Sequence, residues 1–107
     1  MVLDTLAAME RLDNDQELYD EICEIYLTDA PELLRKFKEA IHDNDSAMAT
    51  RHAHSLKSVS ANIGATALSD VARQAEIFGK SGDLAAAQNI CASIEKQLSE
   101  VLKVIRA

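Results

Sequence analysis

A chain of 107 residues is long enough for one hydrophobic core and too short for a second. Its formal charge of −7 leaves no basic face for a nucleic-acid backbone or an anionic bilayer, so neither nucleic acid nor membrane is expected as a partner. Hydrophobic residues make up 48% of the chain, with one proline, three glycines and no tryptophan, and they recur at helical spacing nearly throughout, which predicts an all-α domain over residues 1–107.

No positively charged start leads into an apolar stretch, and no run approaches the ~18 apolar residues of a membrane span, so the cytoplasm is the expected compartment. Cys23 and Cys91 lie far apart on apolar helical positions without CxxC spacing. Both are expected to be buried free thiols.

Leu3, Leu6, Ala7 and Met9 give a short amphipathic helix expected to lie across the bundle as a lid. Asp13-Asn14-Asp15 breaks it and caps the next, from about Asp15 to Thr28, with Leu18, Ile22, Ile25 and Tyr26 facing inward. The residue before a proline is pushed out of helical geometry, so this helix is predicted to end before Ala30-Pro31. Pro31 then opens a new helix, with Asp29 as its cap, Glu32 near the positive end of the dipole, and Leu33, Leu34, Phe37 and Ile41 on the buried face.

Asp43-Asn44-Asp45-Ser46 stops that helix and caps another over about Ser46 to Ile63, which Gly64 ends in the left-handed conformation. A further helix runs from about Thr66 to Gly79, burying Leu68, Val71, Ala72, Ala75 and Phe78, and Ser81-Gly82-Asp83 makes the last turn. Beyond it, Leu84, Ala87, Cys91, Ile94, Leu98, Val101 and Ile105 alternate steps of three and four, the seam of left-handed helix packing. These elements predict an antiparallel up-down four-helix bundle with short additional N-terminal helices. Because the bundle closes within one chain, a monomer is expected.

The helix over 46–63 carries the chemistry. At about 100° per residue, Ala49, His52, Ala53, Val59, Ser60 and Ile63 fall within roughly 60° of Leu56 and form the core stripe. His54 lands about 160° away, among Ala47, Thr50, Arg51, Lys57, Ser58 and Ala61, which are small or basic. A solvated imidazole is a nucleophile when neutral, Lys57 lies beside it to pair with anionic oxygens, and small neighbours let a bulky partner approach. This face is a place to put a phosphoryl group. His42, near a helix C-terminus, reads as a surface residue, and His52 as a core or boundary histidine. A metal held by His52 and His54 is excluded, since residues two apart on a helix point about 200° apart. No glycine-rich phosphate loop and no paired acid and base are present, so no ATP-binding or hydrolytic machinery and no enzyme activity of the chain's own is expected.

The run Ala53-His54-Ser55-Leu56-Lys57-Ser58-Val59-Ser60, with Gly64 ten residues after His54, closely resembles the histidine-containing phosphotransfer (HPt) domains of two-component phosphorelays. The resemblance extends from about Leu12 to the C-terminus, through Tyr26, Pro31-Glu32, Asn44-Asp45 and Glu76. It implies that His54 accepts a phosphoryl group from a receiver-domain aspartate and donates it to another receiver, with Lys57 steadying it. It also implies response-regulator receivers and a hybrid sensor histidine kinase as partners, and Mg²⁺ supplied by the receiver rather than bound by this chain. The family usually has glycine where this chain has Ser58, whose side chain either narrows access or donates a hydrogen bond to the phosphate.

Glu76 lies twelve residues beyond Gly64 and His54 ten before it, so an antiparallel reversal brings both to a similar height. Glu76 is one step from the inward Ala75, on a flank facing the neighbouring helix. In the family this position often holds Gln or Glu bonded to the histidine ring, which implies that Glu76 accepts from Nδ1–H of His54. Three other readings compete. The phosphoacceptor region of a sensor kinase usually has an acidic residue directly after its histidine, where Ser55 stands here. A chemotaxis-kinase phosphotransfer domain differs by what is fused to it, and a non-catalytic helical adaptor predicts the same bundle with an idle His54.

Overall fold

In the computed structural model, which describes residues 2–107, five helices follow one another. They are α1 (Thr5–Arg11), α2 (Gln16–His42), α3 (Ser46–Asn62), α4 (Thr66–Ser81) and α5 (Leu84–Arg106). Each of α2 to α5 packs on its chain neighbour, and α5 returns to α2, which closes an antiparallel four-helix bundle. Aspartates punctuate the chain. Asp4, Asp15, Asp45 and Asp83 accept from the amides of Ala7, Leu18, Met48 and Ala86, each satisfying a first-turn donor of its helix.

The predicted break at Ala30-Pro31 is absent: α2 runs through Pro31 for 27 residues. At 1.5 Å per residue it is about 40 Å long, matching the 41 Å long axis of the molecule. Proline removes one hydrogen bond and crowds the preceding turn, but Tyr26, Ala30, Leu34, Phe37 and Ile41 form one buried stripe across it. Burial on both sides holds the chain helical where local preference would end it. Asp29 is therefore a mid-helix residue and not a cap.

The same continuity corrects the phase of the N-terminal half of α2. Tyr19, Cys23 and Tyr26 point into the core, whereas Leu18 and Ile25 are exposed and Ile22 is half-buried. In α1 it is Ala8 that is buried and Leu6 that faces solvent. Helix α4 continues past Gly79 to Ser81, and Gly82, at φ 74°, takes the left-handed cap. The stripe of α5 falls as predicted, with Ala87, Cys91, Ile94, Leu98 and Val101 buried. Cys23 and Cys91 are free and buried.

One end of the bundle is tied to the turn after α3. Gly64, at φ 84°, is the residue after that helix's C-cap, and its carbonyl accepts from Asp4 N–H at 2.7 Å. A Cβ at Gly64 would lie 2.3 Å from the Asp4 carbonyl oxygen, so the N-terminal segment can close over this turn only because glycine is there. The Tyr19 hydroxyl donates to the Ile63 carbonyl at 2.8 Å, and Arg11 Nη1 donates to that of Ala61 at 3.1 Å. Among the described residues no helix is long and apolar enough to cross a membrane.

Candidate functional site

Helix α3 begins at the Asp45 cap and turns Ala49, Ala53, Leu56 and Ser60 into the core. That phase leaves His54 on the outer face, with 58% of its side chain exposed. Behind the helix, Ser60 is fully buried and shares a 2.8 Å hydrogen bond with the Tyr26 hydroxyl of α2. Burial pushes the Tyr26 phenol up to about 12. This cross-helix bond fixes the rotation of α3 about its axis, and with it the direction in which His54 points.

The ring is met from α4. Glu76 Oε2 lies 2.8 Å from His54 Nδ1, and Lys57 Nζ donates to Glu76 Oε1 at 2.7 Å. The Glu76 side chain is 8% exposed, so the carboxylate has exchanged water for these two partners. Burial pushes its carboxyl up, but the bonds from Lys57 and His54 outweigh burial and hold it below its ordinary value. An ionised carboxylate only accepts, so in the neutral imidazole Nδ1 carries the proton and Nε2 keeps its lone pair. The paired Glu76 thus selects the tautomer and orients the ring.

Of the site residues predicted from sequence, His54, Lys57 and Glu76 come together in this cluster. Lys57 is less open than its helical position implied, with 28% of its side chain exposed, because it leans onto Glu76. Ser58 lies one turn beyond His54 and is exposed. On the predicted docking face Ala47 and Arg51 are exposed and Ala61 is half-buried. Thr50 departs from that face. It is half-buried against the backbone of α4 at Gly79, and its hydroxyl donates to the Ser46 carbonyl at 2.7 Å.

His52 is half-buried, lining an open hollow of about 360 Å³ with Arg35, Lys36, Glu39 and Asp45. Burial holds its imidazole below the ordinary value. His42 is exposed at the end of α2. Two features went unread in the sequence. Lys80, one turn beyond Glu76, brings Nζ within 3.7 Å of Oε2, and its i,i+4 spacing was the available signal. Ser69 donates from Oγ to the Lys57 carbonyl at 3.0 Å, and nothing local in the sequence announces it. Among the described residues no group of three or more His, Cys, Asp or Glu side chains is placed to hold a metal ion.

The antiparallel helical bundle agrees with the family comparison. Residues 21–104 match the Hpt domain family, and the chain belongs to it. Among individual proteins, it is 25% identical over 93 residues to the phosphorelay intermediate protein rdeA of Dictyostelium discoideum. The aligned region is 87% of this chain and 37% of that protein, so the chain spans little more than a third of its relative's length. The structure also matches the crystal structure of histidine-containing phosphotransfer protein B (HptB) from Pseudomonas aeruginosa PAO1. The TM-score is 0.90 at 23% identity, over 98% of this chain and 91% of that one, which shows a shared fold.

Proposed function

We propose that this chain is a phosphorelay carrier in which Nε2 of His54 accepts a phosphoryl group from an aspartyl phosphate on one receiver domain and yields it to an aspartate on another. The Nδ1–H donated to Glu76 at 2.8 Å carries this reading. It leaves a bare Nε2 on a ring that is 58% exposed, where a partner's active site can reach it. Attack of the Nε2 lone pair on phosphorus forms the N–P bond as the acyl phosphate P–O bond breaks, and the receiver's carboxylate leaves. The Nδ1 proton is retained against Glu76, which stabilises the positive charge developing on the ring.

Lys57 supports the transferred group by pairing with its oxygens. Any Mg²⁺ in the reaction is expected from the receiver; on this chain both oxygens of Glu76 are engaged, by His54 and Lys57. The chain acts as a monomeric cytoplasmic carrier, with Ala47, Arg51 and the rim around His54 meeting the receiver. Incubation with a phosphorylated receiver domain should leave acid-labile, base-stable phosphate on this chain and none on His54→Gln. Phosphate retained on His54→Gln would move the acceptor elsewhere.

A further inference from the structure

We propose that α4 is fixed to α3 at two points flanking Glu76, the close approach of Gly79 to Thr50 and the Ser69 hydrogen bond to the Lys57 carbonyl, and that this spacing sets the reach of Glu76 to His54. Gly79, Thr50 and Ser69 are then positioning residues for chemistry at His54, an inference that rests on His54 being the phosphoacceptor.

Gly79 does not end its helix and has no left-handed backbone to require glycine. Glycine inside a helix is destabilising relative to alanine. What demands it is space. A Cβ at Gly79 would lie 2.5 Å from Thr50 Oγ1 and 3.1 Å from both the Cα and the nitrogen of Thr50. The obstructing hydroxyl is not free to turn away, because it donates to the Ser46 carbonyl at 2.7 Å and its side chain is β-branched. Here the two helix backbones nearly touch.

The two helices run antiparallel, so the next contact along the interface pairs the residue three before Gly79 with the residue four after Thr50. These are Glu76 and His54. On the far side of Glu76, Ser69 Oγ reaches the Lys57 carbonyl at 3.0 Å. Ordinary carbon contacts need about 3.5–4.0 Å, so an added methyl at Gly79 pushes α4 outward by roughly 0.5–1 Å. A bond of 2.8 Å lengthened by that much approaches or passes the distance at which hydrogen bonding fails.

The test is the tautomer of His54, read by long-range ¹H–¹⁵N NMR at a pH where the imidazole is neutral, in the resting protein. Wild type should be mainly Nδ1–H. In Gly79→Ala the ratio of Nδ1–H to Nε2–H should fall about fivefold, the equivalent of one ordinary hydrogen bond. Adding Thr50→Ala removes the 2.5 Å obstruction but not the 3.1 Å approach to the Thr50 backbone, and should restore the ratio in part. Gly82→Ala, whose Cβ meets nothing within 4 Å but whose φ of 74° strains it, should lower stability and leave the tautomer alone. Ser69→Ala deletes the second point without adding bulk, should shift the ratio in the same direction, and carries the test if Gly79→Ala does not fold. An unchanged tautomer in either folded variant, or no restoration by Thr50→Ala, overturns the proposal. Transfer from a phosphorylated receiver is measured in parallel. Wild-type protein that takes up no phosphate would sink the carrier reading while leaving the tautomer result standing.

Discussion

Glu76 lies on a different helix from His54 and 22 residues further along the chain, yet its Oε2 stands 2.8 Å from the ring Nδ1, and its other oxygen holds Lys57. The His54 ring, the Lys57 ammonium and the buried carboxylate therefore form one unit in the resting protein. Replacing Glu76 separates its two tasks. Glu76→Gln keeps an oxygen to accept from Nδ1–H and should retain the tautomer and most of the transfer rate. Glu76→Ala should lose both, slowing transfer about tenfold or more, the scale of a hydrogen bond involving a charged group. NMR of the ring and phosphotransfer kinetics check this, and equal rates for the two variants would deny the carboxylate its orienting role.

Lys57→Ala should leave the bundle folded, since the residue is at the rim of the α3–α4 interface. It removes the shorter lysine bond to Glu76 and leaves Lys80 at 3.7 Å as the neighbouring cation. With that bond gone, burial counts for more and the Glu76 carboxyl should titrate higher than in wild type. Phosphoryl transfer should slow or the phosphohistidine lifetime shorten. Carboxyl-detected NMR and a phosphate decay curve measure the two effects, and wild-type behaviour in both would remove Lys57 from the site.

Stability should depend on pH through Glu76. Its folded value lies below the ordinary 4.5, so between the two values the unfolded chain binds more protons. The stabilisation from the ionised cluster is fully present above about pH 4.5 and is lost as pH falls through the lower, folded value. The difference in unfolding free energy between wild type and Glu76→Gln, from urea titrations at several pH values, should be flat above this window and shrink in favour of the variant below it. A difference that grew on acidification would contradict the sign.

Tyr26 and Ser60 share a bond inside the core, with 2% and 0% of their surfaces exposed. Either Tyr26→Phe or Ser60→Ala leaves a buried hydroxyl without its partner and should cost about 1–3 kcal/mol. The double variant removes both groups and should cost less than the sum. Additive losses in urea denaturation would mean that the two hydroxyls do not depend on each other.

Ser58→Gly installs the usual family residue on the exposed face of α3. It should lower stability by about 1 kcal/mol through helix propensity alone and leave transfer intact. Loss of transfer in a folded Ser58→Gly protein would make that hydroxyl a required phosphate donor.

Much of this was decided locally and so was legible in the chain alone. Asp45 and Gly64 bracket α3 because a carboxylate can cap first-turn amides and glycine tolerates φ of 84°. Within that helix, 100° per residue puts Leu56 in the core and His54 outside, whatever else the protein does. Even the height match of Glu76 with His54 followed from counting residues on either side of one turn.

Other features needed the assembled bundle. Pro31 breaks a helix by local rules, but α2 continues because Ala30, Leu34 and Phe37 bury against other helices and offset the lost bond, a term no local window contains. The phase of its first half followed, with Tyr19 and Cys23 inward in place of Leu18 and Ile25. Lys57 was placed correctly on α3, but its bond to Glu76 depends on how near α4 lies, and so does the turning of Thr50 away from the docking face. Periodicity orients a side chain about its own helix axis, whereas the distance between two helices is set by what packs between them. At Gly79 that is a single hydrogen where any other residue would place a carbon.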